Sequence, residues 1–453
     1  MIPLNEMLTR DDPLLRQASE LLIETFEITP NSLAVAAYVP GRVEFLGKHT
    51  DYAGGRSLLM TVQKGFRMVA HPRQDDILRI VTGSKDKPEV QRFPYGQIPP
   101  HPPGHWVNYT ATLARRVNAN FGSCPELAEK GKTGHLRGAD IAFVSDLPIA
   151  AGMSSSSALV VATFLCISQI NHLDQTEAYQ REIHSNFDLA AYLGCVEMGL
   201  SFGSLAGQQG VGTFGGSEDH TAMLCCKPET LSQFSFAPSV FEREIPFPSN
   251  MELVIACSGI QAVKTGSAKE KYNRASIRAR KAAEAYNRAT GDNCRHLRDV
   301  AVRVGLTGLD KALQAIRQGT APEDEQLDLP GRYEQFFHED QEIIPAVGDA
   351  LLAGNVDAIG PLVDESHRNA QKWLNNVIPE TDFLYRSARQ LGAVAASYFG
   401  AGFGGSVWAM VEKSDAEGFR IAWERTYEGH FPEHAEKAEF FLTKPGKPAS
   451  IIS

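Results

Sequence analysis

Residues 148–159 read PIAAGMSSSSAL. A strand candidate, ADIAFVS at 139–145, leads into this stretch, and an apolar helix from Ala158 to Ile170 leaves it. Strand, small-residue turn and serine-rich helix start together let a ligand approach the backbone closely. The first amides of a helix lack partners within it and attract phosphate. Serine hydroxyls add donors and an oxygen suited to Mg²⁺. The same residues also suit a plain N-cap followed by small packing residues. No Gly-Lys-Ser/Thr follows, so this is not a Walker A loop.

Moving outward, Leu33 to Tyr38 (LAVAAY) reads as a buried strand ended by Pro40-Gly41. Residues 40–55, PGRVEFLGKHTDYAGG, crowd Arg42, Lys48, His49, Asp51 and Tyr52 between glycine turns. Polar groups beside a buried strand are costly unless they face a ligand or one another. The plainer alternative is a self-satisfied turn, with Asp51 as a cap and Glu44 paired with Lys48. In GTFGGSEDH at 212–220, a carboxylate after a glycine turn suits a general base. It equally suits an N-cap for a helix from Thr221. GAGFGG at 400–405 fits close approach to a ligand, or a tight entry into a strand.

The rest of the chain bounds the answer. Its 453 residues are enough for two or three domains, and 43% hydrophobic with 22% charged residues is a globular balance. Asp plus Glu (54) exceed Lys plus Arg (44), and no basic block stands out, which argues against nonspecific nucleic-acid binding. The seven Cys are odd in number and show no CxxC spacing, so a disulfide framework or a zinc site is not expected and free thiols suit a cytoplasmic protein. No apolar run approaches the ~20 residues of a membrane span, and Met1–Arg10 does not read as a signal peptide.

Apolar periodicity predicts helices over 11–28, 267–290 and 415–427, and strands over 251–257, 406–411 and 438–443. The glycine-rich stretch 202–216 reads as loop. Strands and helices mix without strict alternation, which makes the fold class α+β. Pro228, Pro238, Pro246 and Pro248 cluster near a soft boundary, dividing the chain into 1–235 and 236–453.

Taken together, the segments resemble the GHMP kinase superfamily and, within it, the galactokinase family. Arg42–Gly55 resembles the sugar signature GRVNLIGEHTDYNGG, Pro148–Leu159 the nucleotide motif P-x-x-x-G-L-S-S-S, and Gly400–Gly405 the third motif. Smaller anchors occur in family order: WVNY at 106–109, SAKEKYNR at 267–274, ESHR at 365–368, and Pro379-Glu380 with Asp382. The resemblance implies two domains, an N-terminal one similar to ribosomal protein S5 domain 2 and a C-terminal α+β domain, with the site between them. It implies an enzyme that uses ATP and Mg²⁺ to phosphorylate a sugar at C1. A small-molecule sugar is the implied partner, with no nucleic acid and no membrane.

At matching positions the resemblance makes Asp219 the catalytic aspartate and Arg42 the arginine that stabilises the transferring phosphoryl group. Gly152, Ser154, Ser155 and Ser156 match the ATP phosphate loop, and Ser156 and Glu197 the Mg²⁺ ligands. His49, Asp51, Gly216 and Tyr272 match sugar contacts. Three features depart from the family. Lys48 replaces a glutamate that in the family contacts the C6 hydroxyl. A substrate-facing cation there suits a C6 carboxylate, as in galacturonate; alternatively Lys48 turns away and pairs with Glu44. N-acetylgalactosamine is a further alternative, because GTFGGSED resembles the GT-x-GG-x-x-D form of that kinase. The Glu197–Asp219 interval is about twice as long as in familiar members, which makes Glu218 the next-best base. Ala396-Ser397-Tyr398 stand where an arginine usually precedes the third motif. A complete serine loop with Asp219 present favours an enzyme over a non-catalytic, regulatory relative. His-Thr-Asp-Tyr at 49–52 favours a sugar over mevalonate or homoserine.

Overall fold

The computed structural model describes residues 1–84, 86–123, 135–148, 151–260 and 266–453, with the backbone alone at 266–269. Two sheets organise these residues. The larger is built from β1 (Ile2–Pro3), β2 (Leu33–Leu46), β3 (Arg56–Pro72), β4 (Ile77–Ser84), β5 (Lys87–Pro94) and β6 (Ala139–Ser145), in the order β1-β2-β3-β6-β4-β5. A hairpin of β7 (Thr230–Ser235) and β8 (Val240–Pro246) extends it through β3. The smaller sheet is antiparallel and contains β9 (Met251–Cys257), β10 (Ala395–Phe399), β11 (Ser406–Glu412) and β12 (Glu439–Thr443), in the order β10-β11-β9-β12. Finally β13 (Ser450–Ile452) returns to pair with β2.

Period-two alternation sorts the apolar side chains into layers. On one face of the larger sheet, Val69, Val81, Ala142 and Val144 pack against the helix Pro13–Phe26. On the other, Met68, Ile80, Ile141 and Phe143 join the main core with the helices Val107–Phe121 and Ser155–Asn171. The strand at 139–145, legible from its alternation, and that at 251–257, legible as a buried run, keep those same bounds. In the smaller sheet, Leu253, Ile255, Trp408 and Met410 face this same core. Val254, Ala256, Val407 and Ala409 face the helices Pro379–Gln390 and Ala416–His430. Phe45 stacks on Trp408 at 4.1 Å between ring centres, joining β2 to β11. Such a pair is worth ~0.5–1.5 kcal/mol beyond its burial.

The α+β class is as expected. The helix expected over 11–28 spans Pro13–Phe26. It is capped by Asp12, whose side chain accepts from Leu15 N, and closed by Glu27 in the left-handed region. The strand expected at 33–38 does not stop at Pro40-Gly41. It continues to Leu46 because a bulge between Pro40 and Arg42 absorbs the proline. Sheet membership does not part at residues 235 and 236, since β7 and β8 are antiparallel neighbours across that point. Among the described residues, six cysteines are free and no helix is long and apolar enough to cross a membrane. Cys124 lies outside the described residues.

Candidate active site

The site begins at the bulge in β2. A Cβ on Gly41 would sit 2.6 Å from Leu147, so glycine allows the close packing there. Beyond the bulge, alternation buries Val43 and Phe45 and turns Arg42 and Glu44 into a cleft. Arg42 ties three elements together. Its Nε donates to Asp219 Oδ1 at 2.8 Å, and its Nη2 lies 2.7 Å from the same oxygen. Its Nη1 donates to Gly152 O, and its backbone amide to Met153 O at 3.4 Å. Burial alone would depress the guanidinium, but Asp219, Glu218 and Glu44 outweigh it and hold Arg42 firmly charged.

Asp219 lies in the first turn of the helix Glu218–Cys225, where the helix dipole favours a carboxylate. Ser157 Oγ donates to its Oδ2 at 3.4 Å. Glu218 points elsewhere. It accepts from Ser57 Oγ at 2.6 Å and reaches Arg42 only at 3.9 Å. Burial, then Glu44 and Asp51, push its carboxyl well above the usual range. Its side chain is 7% exposed against 17% for Asp219, so Asp219 is the better-presented carboxylate of the two.

Gly152 and Ser154 both take positive φ (79° and 57°), and Ser154 precedes the helix Ser155–Asn171 without a side-chain cap. The first amides of that helix are therefore left to a ligand or solvent. The 400–405 turn packs directly on this one. A Cβ on Gly400 would meet Gly152 O at 2.9 Å, and Ser406 Oγ donates to Ala151 O at 2.6 Å.

The 47–52 turn forms the opposite wall. One helical face holds it: Arg332 Nη2 donates to His49 O at 2.6 Å and Gln335 Nε2 to Lys48 O at 3.2 Å. Glu339 Oε1 accepts from the amides of Gly47 and Lys48 at 3.0 and 3.3 Å. The spacing 332, 335, 339 is a helical stripe, visible in the sequence but not singled out there. His49, Asp51 and Tyr272 line the cleft, with Gly216 against Asp51. His49 Nδ1 lies 2.7 Å from Tyr52 Oη, and its ring centre is 5.6 Å from that of Tyr272.

Lys48 does not line the cleft, which corrects the expectation of a substrate-facing cation. With both its amide and its carbonyl pinned, its side chain turns the other way. There Nζ donates to Ser366 Oγ at 3.0 Å and lies 5.2 Å from the centre of the Tyr398 ring. The ESH segment and the strand 396–398 thus accommodate the lysine. Glu44 takes the cleft position instead, a residue that sequence reasoning had placed only as a partner for Lys48. The signal was its i+2 spacing from Arg42 on a strand.

Glu197 also lines the cleft, with His220 Nε2 3.1 Å from its Oε1. The phenol of Tyr109 stands close enough to Ser156 and Glu197 to feel both electrostatically. Burial, chiefly, pushes the Tyr109 phenol up to about 12. The long interval before Asp219 is pinched at its base: Val211 N donates to Glu197 O at 2.9 Å, and a Cβ on Gly199 would meet Gly210 N at 2.7 Å. Arg116 holds the excursion through the carbonyls of Leu200 and Leu205. The extra residues therefore loop outward, and Glu197 stays beside the cleft. One hydroxyl and one carboxylate suit Mg²⁺, which usually keeps waters and substrate phosphates as its other ligands. Among the described residues, no cluster of three or more His, Cys, Asp or Glu forms a separate metal centre.

Three family models match the chain: the galactokinase galactose-binding signature at residues 23–72, the GHMP kinase N-terminal domain at 108–195 and the GHMP kinase C-terminal domain at 349–429. The chain is 28% identical to the galactokinase of Roseiflexus sp. (strain RS-1) over 394 residues, covering 85% of each chain. It is 29% identical to that of Chloroflexus aggregans over 394 residues, covering 85% of this chain and 86% of the relative. The galactokinase of Dictyostelium discoideum is 25% identical over 510 residues, with 96% and 94% covered. Among solved structures, Lactococcus lactis galactokinase complexed with galactose superimposes with a TM-score of 0.69 at 20% identity, covering 95% of this chain and 99% of that one. The mevalonate kinase of L. major in complex with R-mevalonate gives 0.52 at 15% identity, with 91% of this chain and 96% of that one covered.

Proposed function

We propose that this chain, which belongs to the galactokinase branch of the GHMP kinases, transfers the terminal phosphoryl group of ATP to the C1 hydroxyl of galactose. The observation that carries this reading is the position of Arg42. One guanidinium bonds both the carbonyl of Gly152, at the phosphate turn, and the carboxylate of Asp219. A phosphoryl donor and a proton acceptor thereby meet across a single side chain.

Phosphoryl transfer needs positioning and charge neutralisation more than covalent chemistry. The backbone of Gly152–Ser156 cradles the nucleotide phosphates. Arg42 neutralises charge on the equatorial oxygens of the moving group. His49, Asp51 and Tyr272 orient the sugar so that its C1 oxygen points toward the nucleotide. Asp219 takes the hydroxyl proton. A carboxylate bonded to an arginine is a weak base, which suits a loose transition state in which nucleophile bonding, and so proton loss, is late. Ser156 and Glu197 would hold Mg²⁺, which would supply positive charge against the nucleotide phosphates. We place the reaction in the cytoplasm, in keeping with the free cysteines.

With Lys48 turned away, the charged side chains lining the cleft among the described residues are Glu44, Asp51, Glu197, Glu218 and Asp219 against Arg42. That balance gives a uronate no counter-ion on the sugar side. In a coupled assay at fixed MgATP, we expect galactose 1-phosphate from galactose and no product from galacturonate. N-acetylgalactosamine belongs in the same panel. Turnover of either competitor with none of galactose overturns the assignment.

Gly216→Ala tests the sugar wall. The new Cβ would lie 2.3 Å from Asp51 Oδ2, so the carboxylate must move. A displacement of about 1 Å in a positioning group costs on the order of a hundred-fold in kcat/KM for galactose. Unchanged kinetics would remove Asp51 from the sugar site.

A further inference from the structure

We propose that Glu44 is a substrate-contacting, specificity-determining residue: a buried acceptor that takes a hydrogen bond from a galactose hydroxyl other than C1, and so demands a hydrogen-bond donor at that carbon. The inference rests on the reading of this cleft as the sugar site. Glu44 is 4% exposed and lines the cleft beside Arg42, His49, Asp51 and Glu218. Its Oε1 is buried with no hydrogen-bond partner among the described residues.

The neighbouring carboxylates are provided for. Asp219 has Arg42, Glu218 has Ser57, and Glu197 has His220. An orphaned acceptor inside a folded protein is a standing penalty unless a ligand relieves it. The backbone shows how it comes to lie there. Register shifts flank the stretch, one between Pro40 and Arg42 and one between Glu44 and Leu46, so both polar side chains are re-aimed to one side of β2. Burial pushes the Glu44 carboxyl up to about 7, against the pull of Lys48 and Arg42. Lys48, seated behind it on Ser366, therefore has a role after all, supporting the charge of Glu44 from outside the cleft.

Such a site discriminates sharply. A pocket built to hydrogen-bond a hydroxyl rejects the analogue lacking it far better than an apolar pocket rejects an extra methylene. The chemical class implied is a galactose-configured sugar with a free hydroxyl, or an ammonium, at the contacted carbon. A deoxy, O-methyl or carboxylate group there is excluded.

The test uses galactose and its 2-, 3-, 4- and 6-deoxy analogues with the wild-type protein, Glu44→Gln and Glu44→Ala. With wild type, we expect one analogue to lose about a hundred-fold or more in kcat/KM. With Glu44→Ala, galactose itself should fall by a similar factor, and the added penalty for that one analogue should collapse to within about three-fold. Glu44→Gln, whose amide oxygen still accepts, should lie between them. Its melting temperature at pH 8 should not fall below that of wild type, because burial already disfavours the charged carboxylate and the amide carries no charge. The proposal is overturned if Glu44→Ala stays within two-fold of wild type on galactose. It is equally overturned if all five sugars fall in parallel, or if Glu44→Gln melts lower with no analogue-specific change. If wild type does not turn over galactose at all, the activity assignment fails instead. Galactose-induced thermal shifts of wild type and Glu44→Ala then decide the contact separately, equal shifts overturning it.

Discussion

Asp219→Asn is expected to lower kcat for galactose phosphorylation by a hundred- to ten-thousand-fold while galactose KM and ATP binding change by only a few-fold. The range is that of a positioned proton acceptor and corresponds to ~3–5.5 kcal/mol of lost transition-state stabilisation. The amide is the informative replacement because its oxygen can still accept from Arg42 Nε, leaving the geometry in place and removing the basicity. Asp219→Ala confounds the two effects by depriving Arg42 of its 2.7 Å partner. Single-turnover kinetics with nucleotide titration separate binding from chemistry. An Asn variant that keeps more than about a tenth of wild-type kcat would mean that the proton leaves by another route.

Arg42→Met should be nearly as damaging to the reaction and more damaging to the fold. Removing a preorganised cation from the reacting group costs about a hundred- to a thousand-fold in kcat. The arginine side chain is 5% exposed, so its loss also leaves Asp219, Glu218 and Glu44 facing one another in the interior. Breaking a buried ion pair in this way typically destabilises by ~3–5 kcal/mol. The pH dependence has a definite sign. Glu218 and Glu44 are already held above their ordinary values, and loss of the cation raises them further. Carboxyls whose folded pKa exceeds the unfolded one bind extra protons in the folded state. Stability then falls as pH rises through the window from the unfolded value, near 4.5, toward the raised one, about 7 for Glu44 in the intact protein. Melting curves between pH 5 and 8 should therefore descend more steeply for Arg42→Met than for wild type; parallel curves would contradict the coupling. Arg42→Lys should fail catalytically as well, because one ammonium cannot span Gly152 O and Asp219 Oδ1 in a fixed fork.

Much of this was legible in the residues. The strand at 139–145 was legible from alternation and that at 251–257 from its mostly apolar run, and both are largely buried. The three glycine-rich turns were recognisable as close-approach segments, and they do converge. What the sequence concealed was direction. Pro40-Gly41 looks like a strand terminus, and only the ladder reveals a bulge that lets β2 run on. The side-chain direction of Lys48 follows from backbone bonds to Gln335 and Glu339, almost three hundred positions away, and no local pattern encodes that. Glu44 was legible only through Arg42: the two stand two residues apart beyond the bulge, on one side of β2, so a cleft-facing Arg42 carries Glu44 with it.

The outward loop pinched between Gly199 and Gly210 has a consequence for how such proteins diverge. Because the chain re-enters at nearly the point where it left, the spacing of Glu197 and Asp219 in space is uncoupled from their spacing along the polypeptide. Segments anchored this way can lengthen at little thermodynamic penalty, ~0.6 kcal/mol for each doubling. The appendix is thus free to acquire new surface chemistry while the reaction centre beneath it stays unchanged.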